Sequence, residues 1–414
     1  MTATRRAFSK HLTGAILHRR SNLLGAVSGM LSAGYIVRRR RSTHRYAEGM
    51  ALLSGGRWSR FAIDQPFRVA SVSKMITATG FMALAARGAI DLDADIQTHL
   101  DAPLRHPAFP DVAITARRLL SHTSGLRNGE DFPVPFNRSL LERLERAARE
   151  QLFGGWFAPA SEPPGGWFAY SDTNFALVAQ IIERIASQRF DRFMRETLFD
   201  PLELDIGYNW SGVSQRKRNR AVAACRWNDG AWTPQVDADP PHAPGVALYR
   251  GDGDPNSTER DYQPGANGFA FAPHGGLRLS LEDMDTLAQF FLRGAPLAGA
   301  GALALMCEPA WRFDPAMPNG ASESGFYQAY GLGVQTPLGR PGADAYFGAE
   351  TSDWRGHCGD AYGWITGLWW NARSQTTLVY AINGMPETNR PRGVRSALTA
   401  PEETLIDAAL AAIE

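Results

Sequence analysis

Strand-like segments stand at both ends of this chain with helical ones between them, and that arrangement limits the folds open to it. Late in the sequence, residues 354–359, 362–370 and 376–382 read as three strands. The last two are joined by Asn371-Ala372-Arg373-Ser374-Gln375, a hairpin-sized loop. Early on, residues 25–37 read as a strand, a turn at Ala33-Gly34, and a second strand running into the arginines at 38–41. Between these ends, residues 71–87 place Met75, Ala78, Phe81, Met82 and Leu84 on one helical face, which Gly88 ends. Helices are also expected over 140–152, 174–188 and about 281–293. The last helix starts at Pro401, which suits the first helical position, with Glu402 and Glu403 at the positive end of its dipole. Residues 228–267, rich in Pro, Gly and Asp, read as a long irregular excursion. The expected fold is α/β of the α+β type: a mainly antiparallel sheet built from both chain ends, flanked by helices, with a large helical insertion. Residues 21–100 and 268–414 are assigned to the sheet domain, 101–267 to the insertion, and 1–20 to an N-terminal helix or leader.

A net charge of +1, from 43 basic and 42 acidic residues, gives no field to steer nucleic acid or an anionic membrane. The four arginines at 38–41 read as a solvated strand end, since nothing else basic supports them. Three widely spaced cysteines, Cys225, Cys307 and Cys358, indicate neither a disulfide framework nor a zinc cluster. Free thiols favour a reducing compartment, so a cytoplasmic location is expected. Thr4-Arg5-Arg6-Ala7-Phe8-Ser9-Lys10 resembles a twin-arginine export signal, which keeps the periplasm as the alternative, but His18-Arg19-Arg20 breaks the apolar stretch such a signal needs. Residues 21–37 are too short and too rich in small residues for a stable membrane span.

Four pieces of sequence carry chemistry. In Phe67-Arg68-Val69-Ala70-Ser71-Val72-Ser73-Lys74, Ser71 and Lys74 stand three apart at a helix start, on one face and in contact range. A serine hydroxyl needs a base, and a lysine serves only if burial or a cationic neighbour lowers its pKa. Ser73 projects from another face. Leu119-Leu120-Ser121-His122-Thr123-Ser124-Gly125-Leu126 reads as a hydrogen-bonded turn ending in Gly125, with His122 in a structural role. Tyr170-Ser171-Asp172-Thr173-Asn174 sets Tyr170 just ahead of a helix, where a tyrosinate beside a lysine could act as base. In Gly356-His357-Cys358-Gly359-Asp360, strand alternation puts His357 and Gly359 on one face and Cys358 on the other. Glycine there lets substrate approach the backbone, and the N–H after it could stabilise an oxyanion.

With Gly275-Gly276-Leu277 added, the order and context of these pieces resemble the serine β-lactamase and DD-peptidase superfamily. The closest likeness is to the branch of class C β-lactamases, D-aminopeptidases and family VIII esterases. The resemblance implies an acyl-enzyme on Ser71, with Lys74 taking its proton and Tyr170 hydrogen-bonded to lysine and leaving group. It implies an oxyanion hole from the N–H groups of Ser71 and Asp360, and His357 in place of the family's edge-strand lysine or histidine. No metal or organic cofactor is implied. The partners are small ester, amide or peptide substrates, and the oligomeric state stays open.

Two departures qualify that. His357 is mostly neutral at pH 7, where a lysine would hold a substrate carboxylate, so esters or amides are favoured over β-lactams and D-Ala peptides. Asp172 stands where the family has asparagine, and its charge would raise the pKa of Lys74. On that basis Lys74 stays protonated and Tyr170 carries more of the base role. Trp156, Trp167, Trp354, Trp364, Trp369 and Trp370 either line an acyl pocket or pack the core. Two alternatives remain: a β-lactamase or D-Ala carboxypeptidase, and an inactive binding or sensory module on the same fold.

Overall fold

The computed structural model describes residues 29–53, 55–129, 134, 138–150, 155–236 and 262–414. Residues 1–28, which carry the expected N-terminal helix or leader, lie outside these. A six-stranded antiparallel sheet is built from β1 (Ser32–Arg39), β2 (Ser42–Leu53), β3 (Arg57–Arg60), β4 (Trp354–Ala361), β5 (Trp364–Asn371) and β6 (Thr376–Asn383), in the order β4-β5-β6-β1-β2-β3. The N-terminal β1 therefore inserts between β6 and β2, pairing Tyr35 with both Tyr380 and Tyr46.

Alternation along the strands makes two apolar faces. Ile36, Leu368, Trp364, Trp370, Val379 and Ala381 face the larger core, which holds α1 (Val72–Ala86) and α4 (Leu281–Leu292). Tyr35, Val37, Trp369, Leu378, Tyr380 and Ile382 face Leu405, Ile406 and Ala409 of α5 (Ala400–Ala411). A reciprocal capping box holds the start of α5, with Thr399 accepting from the Glu402 N–H and Glu402 accepting from the Thr399 N–H. The remaining longer helices, α2 (Leu140–Arg149) and α3 (Asp172–Ala186), come from the middle of the chain.

Two local expectations are corrected. There is no turn at Ala33-Gly34: β1 runs unbroken, and the chain turns at Arg40, where φ is 54°. Gly34 is needed for close packing instead, since a Cβ there would meet Leu281 Cδ1 and Tyr46 O at 2.9 Å each. The stretch read as irregular from residue 228 begins with a hairpin, Ala224–Asn228 paired with Ala231–Val236. Its turn, Asp229-Gly230, has φ of 50° and 81°, the left-handed pair that an Asp-Gly dipeptide supplies. Among the described residues no helix is long and apolar enough to cross a membrane.

Candidate active site

Ser71 stands at the N-terminus of α1, which is buried from Val72 to Leu84. The hydroxyl makes no capping hydrogen bond, so it is free for chemistry. The turn leading into it is strained: Ala70 has φ of 51°. Ser73 holds that turn, its hydroxyl donating to Ala70 O at 2.6 Å and accepting from the Leu277 N–H at 3.0 Å. Its hydroxyl is thus committed to the fold, which leaves Ser71 as the nucleophile candidate.

Lys74, one turn on, is fully buried. Its ammonium reaches Ser71 Oγ at 3.1 Å, His274 O at 2.8 Å and Asp172 Oδ1 at 2.5 Å. Three protons meet three acceptors, so in this state Lys74 donates to Ser71 and cannot take its proton. Burial pulls the Lys74 pKa below its ordinary value, and Asp172 offsets only part of that. Burial would raise the Asp172 pKa, but the Lys74 ammonium overrides it and holds the carboxyl low. From sequence the charge of Asp172 was taken to keep Lys74 protonated; the depth of Lys74 acts against that charge and is larger.

Tyr170 arrives just ahead of α3. Its ring lies 4.6 Å from Lys74 Nζ and stacks on Tyr327 at 5.1 Å. Burial pushes its phenol well above the ordinary value, with Ser71 pulling slightly the other way. The hydroxyl forms no well-directed hydrogen bond among the described residues. His122 backs this ring at 4.3 Å, and its Nδ1 accepts from the Ser171 N–H at 3.2 Å. A structural role for His122 agrees with that geometry.

On β4, His357 donates from Nδ1 to Cys358 O at 2.5 Å, since a carbonyl can only accept. Its Nε2 must then accept from Tyr330 Oη, 2.8 Å away. Burial lowers its pKa to about 3 and that of His274 to about 4. Both imidazoles are therefore expected to hold constant NMR chemical shifts between about pH 5 and 8; a titration midpoint near 6 for either would overturn this account of their burial.

β4 is an edge strand. Its Gly356 and Cys358 amides point away from β5, to the backbone and side chain of Gln335. The Asp360 amide is next in that row, one residue beyond Gly359, where a Cβ would lie 3.1 Å from Ser71 N. The Asp360 side chain pairs with Arg390. Gly359 serves a different close approach from the one expected: a Cβ there would lie 2.3 Å from Val69 O and 3.1 Å from Ser71 N, so the chain's own backbone, not a ligand, occupies that space. Ser71, Tyr170, Gly359 and Asp360 open on a cavity of about 470 Å³. None of the six tryptophans lines it; Trp156, Trp354, Trp364, Trp369 and Trp370 are buried in the protein. Its aromatic wall is Phe326 and Tyr327, with Glu323 beside them. Sequence reading missed these and Tyr330, because their segment carries no motif and reaches the site only through tertiary packing.

A serine at a helix head, a buried lysine one turn on, and an edge strand crossing in front define the serine β-lactamase and DD-peptidase class. The chain belongs to the Beta-lactamase family, whose profile matches residues 21–400. It is 39% identical over 208 residues to Esterase EstB of Burkholderia gladioli, covering 46% of this chain and 48% of EstB. It is 30% identical over 159 residues to Penicillin-binding protein 4* of Bacillus subtilis (strain 168), covering 36% of this chain and 31% of that protein. The matched stretches thus span less than half the length of these curated relatives. Among solved structures, the β-lactamase/D-alanine carboxypeptidase from Yersinia pestis superposes with a TM-score of 0.62 at 19% identity, covering 98% of this chain and 99% of that one. The D-amino acid amidase from Ochrobactrum anthropi SV3 gives 0.61 at 19% identity, covering 95% and 98%. At such identities these two likenesses speak for the fold.

Proposed function

We propose that this chain is a serine hydrolase that forms an acyl-enzyme on Ser71 and cleaves small esters, amides or peptides. The observation that carries this is the uncapped Ser71 hydroxyl 3.1 Å from a buried lysine amine at the edge of an open cleft. Ser71 Oγ bonds to the substrate carbonyl carbon, and its proton passes to Lys74 in the neutral form that burial favours. The N–H groups of Ser71 and Asp360 receive the developing oxyanion. As the bond to the leaving group breaks, Tyr170, kept protonated by burial, gives that group a proton and regains one from Lys74. Lysine is then the base and tyrosine the acid, as the family resemblance implies and against the larger base role that the charge of Asp172 suggested for Tyr170. Water then attacks the acyl carbon and loses a proton to Lys74, which passes it to Ser71 Oγ as the acyl–oxygen bond breaks.

His357 acts by position, holding the β4 edge through Cys358 and Tyr330. With both nitrogens engaged and no charge, it offers nothing to a substrate carboxylate, which favours esters and amides over β-lactams. The likeness to Esterase EstB fits that order. Intact mass spectrometry after brief exposure to p-nitrophenyl esters and to nitrocefin tests the proposal. The expected result is an acyl adduct on the peptide containing Ser71, absent in Ser71→Ala, with faster turnover of the esters. No adduct from any acylating probe would leave the inactive binding module as the reading.

A further inference from the structure

The cleft beside Ser71 also holds a carboxylate that forms no ion pair among the described residues. Glu323 lines the same cavity as Ser71 and Tyr170. The other acids there are committed: Asp360 pairs with Arg390, and Glu402 accepts from Thr399 and from Tyr380 Oη. Glu323 has no ion pair or side-chain hydrogen bond among the described residues.

Its position is built rather than loose. Glu323, Ser324 and Gly325 are consecutive left-handed residues, with φ of 47°, 57° and 94°. Two non-glycine residues in that region persist only where the surroundings impose it. Here the Tyr327 N–H bonds Ser322 O at 2.9 Å, and Arg392 Nη2 donates to Ser324 O at 2.9 Å and Gly342 O at 2.6 Å. Phe326 and Tyr327 line the cavity next to it and meet edge to face at 4.8 Å.

A carboxylate beside aromatic rings attracts a cation through both its charge and the ring quadrupoles. The interior of the site offers an anion no counterpart. The Lys74 charge is met by Asp172, and His357 and His274 are neutral. Arg392 lines the cavity too; it is exposed, its Nη2 is held by two carbonyl groups, and its charge has no carboxylate partner among the described residues, so the anionic ester in the test below reads its pull.

We propose that Glu323, backed by Phe326 and Tyr327, sets the specificity of the cleft and selects substrates that carry a cationic nitrogen on the acyl part. This deepens the acyl-enzyme reading of Ser71 and rests on it.

The test uses three p-nitrophenyl esters of equal acyl length, ending in a trimethylammonium group, its neutral tert-butyl counterpart, or a carboxylate. Burial lifts the Glu323 carboxyl above its ordinary value, so rates are read on the alkaline side of neutrality, which favours its ionised form. The wild type is expected to favour the cation over the neutral ester by about tenfold in kcat/KM, with the anion slowest. Glu323→Gln should bring the cation-to-neutral ratio close to one, and Glu323→Lys should invert the order of cation and anion. The ratio within each variant removes any general effect of Glu323 on Lys74 or Tyr170. A wild type that treats the three esters alike or prefers the anion, or a preference that survives in Glu323→Gln, overturns the proposal while a Ser71 adduct still forms. Absence of the Ser71 adduct would instead bring down the acyl-enzyme reading, and this proposal with it.

Discussion

Replacing Lys74 with methionine is expected to lower kcat/KM for p-nitrophenyl esters by about 10²- to 10⁴-fold, the usual span for a general base. Methionine matches the length and the apolar stem of the buried lysine but leaves Asp172 without its partner, so turnover is read where the variant is shown to be folded. The partner variant, Asp172→Asn, separates charge from position. Asp172 raises the Lys74 pKa against a larger lowering by burial. Removing its charge therefore lowers that pKa further, and the amine becomes neutral at lower pH. The acid limb of the kcat/KM profile should move to lower pH, and the plateau should fall because a less basic amine is a weaker acceptor. An unmoved acid limb in Asp172→Asn would mean that Lys74 is not the group whose deprotonation limits the reaction. Full activity in Lys74→Met would reject it as the base outright.

The sequence and the structure differ at this pair for a physical reason. Spacing alone brought Ser71 and Lys74 together, because three residues along a helix is a contact distance wherever the helix sits. The likeness of motifs brought in Tyr170, Asp172 and the β4 edge from far along the chain, and the structure gathers them around one cleft. Burial depth has no local signature. Lys74 sits on a helix whose every face is covered, a property of the whole core, and that depth fixes the sign of its pKa shift. Charge at Asp172, by contrast, was visible in the letter itself. The same distinction explains the strand misreading at Gly34. A glycine between apolar residues fits a turn or a close approach equally well, and only the position of Leu281 and Tyr46 decides. The hairpin at Asp229-Gly230 was missed although that dipeptide is a turn signal in its own right, because the Pro-, Gly- and Asp-rich stretch that follows it reads as irregular chain. The cavity wall at Glu323, Phe326 and Tyr327 was not legible, because specificity residues lie on a loop whose place is set by contacts remote in sequence.

Gly359→Ala is the substitution expected to do most damage with the fewest atoms. Gly359 pairs with Thr366 across β4 and β5, and Thr366 Oγ1 donates to Val69 O at 2.8 Å. That bond draws the segment before Ser71 down onto the glycine. A Cβ at position 359 would stand 2.3 Å from Val69 O and 2.4 Å from Thr366 Oγ1. The nearest obstacle is backbone, so no flexible side chain can swing aside. Either β4 or the Val69–Ser71 segment must move, and each carries one of the two proposed oxyanion amides, those of Asp360 and Ser71. Loss of alignment between two oxyanion donors corresponds to about 10²- to 10³-fold in kcat. The overpacking itself should cost about 1–3 kcal/mol of stability, read as a lower unfolding midpoint in urea. Gly275→Ala supplies the control on the other side of the same turn. A Cβ there would come no nearer than 3.8 Å, to the backbone of Ala70, which is ordinary contact. Its turnover and stability should stay near wild type. Wild-type kcat in Gly359→Ala would mean that the spacing between the β4 edge and the head of α1 does not govern the chemistry, and that the amide of Asp360 is not part of an oxyanion hole.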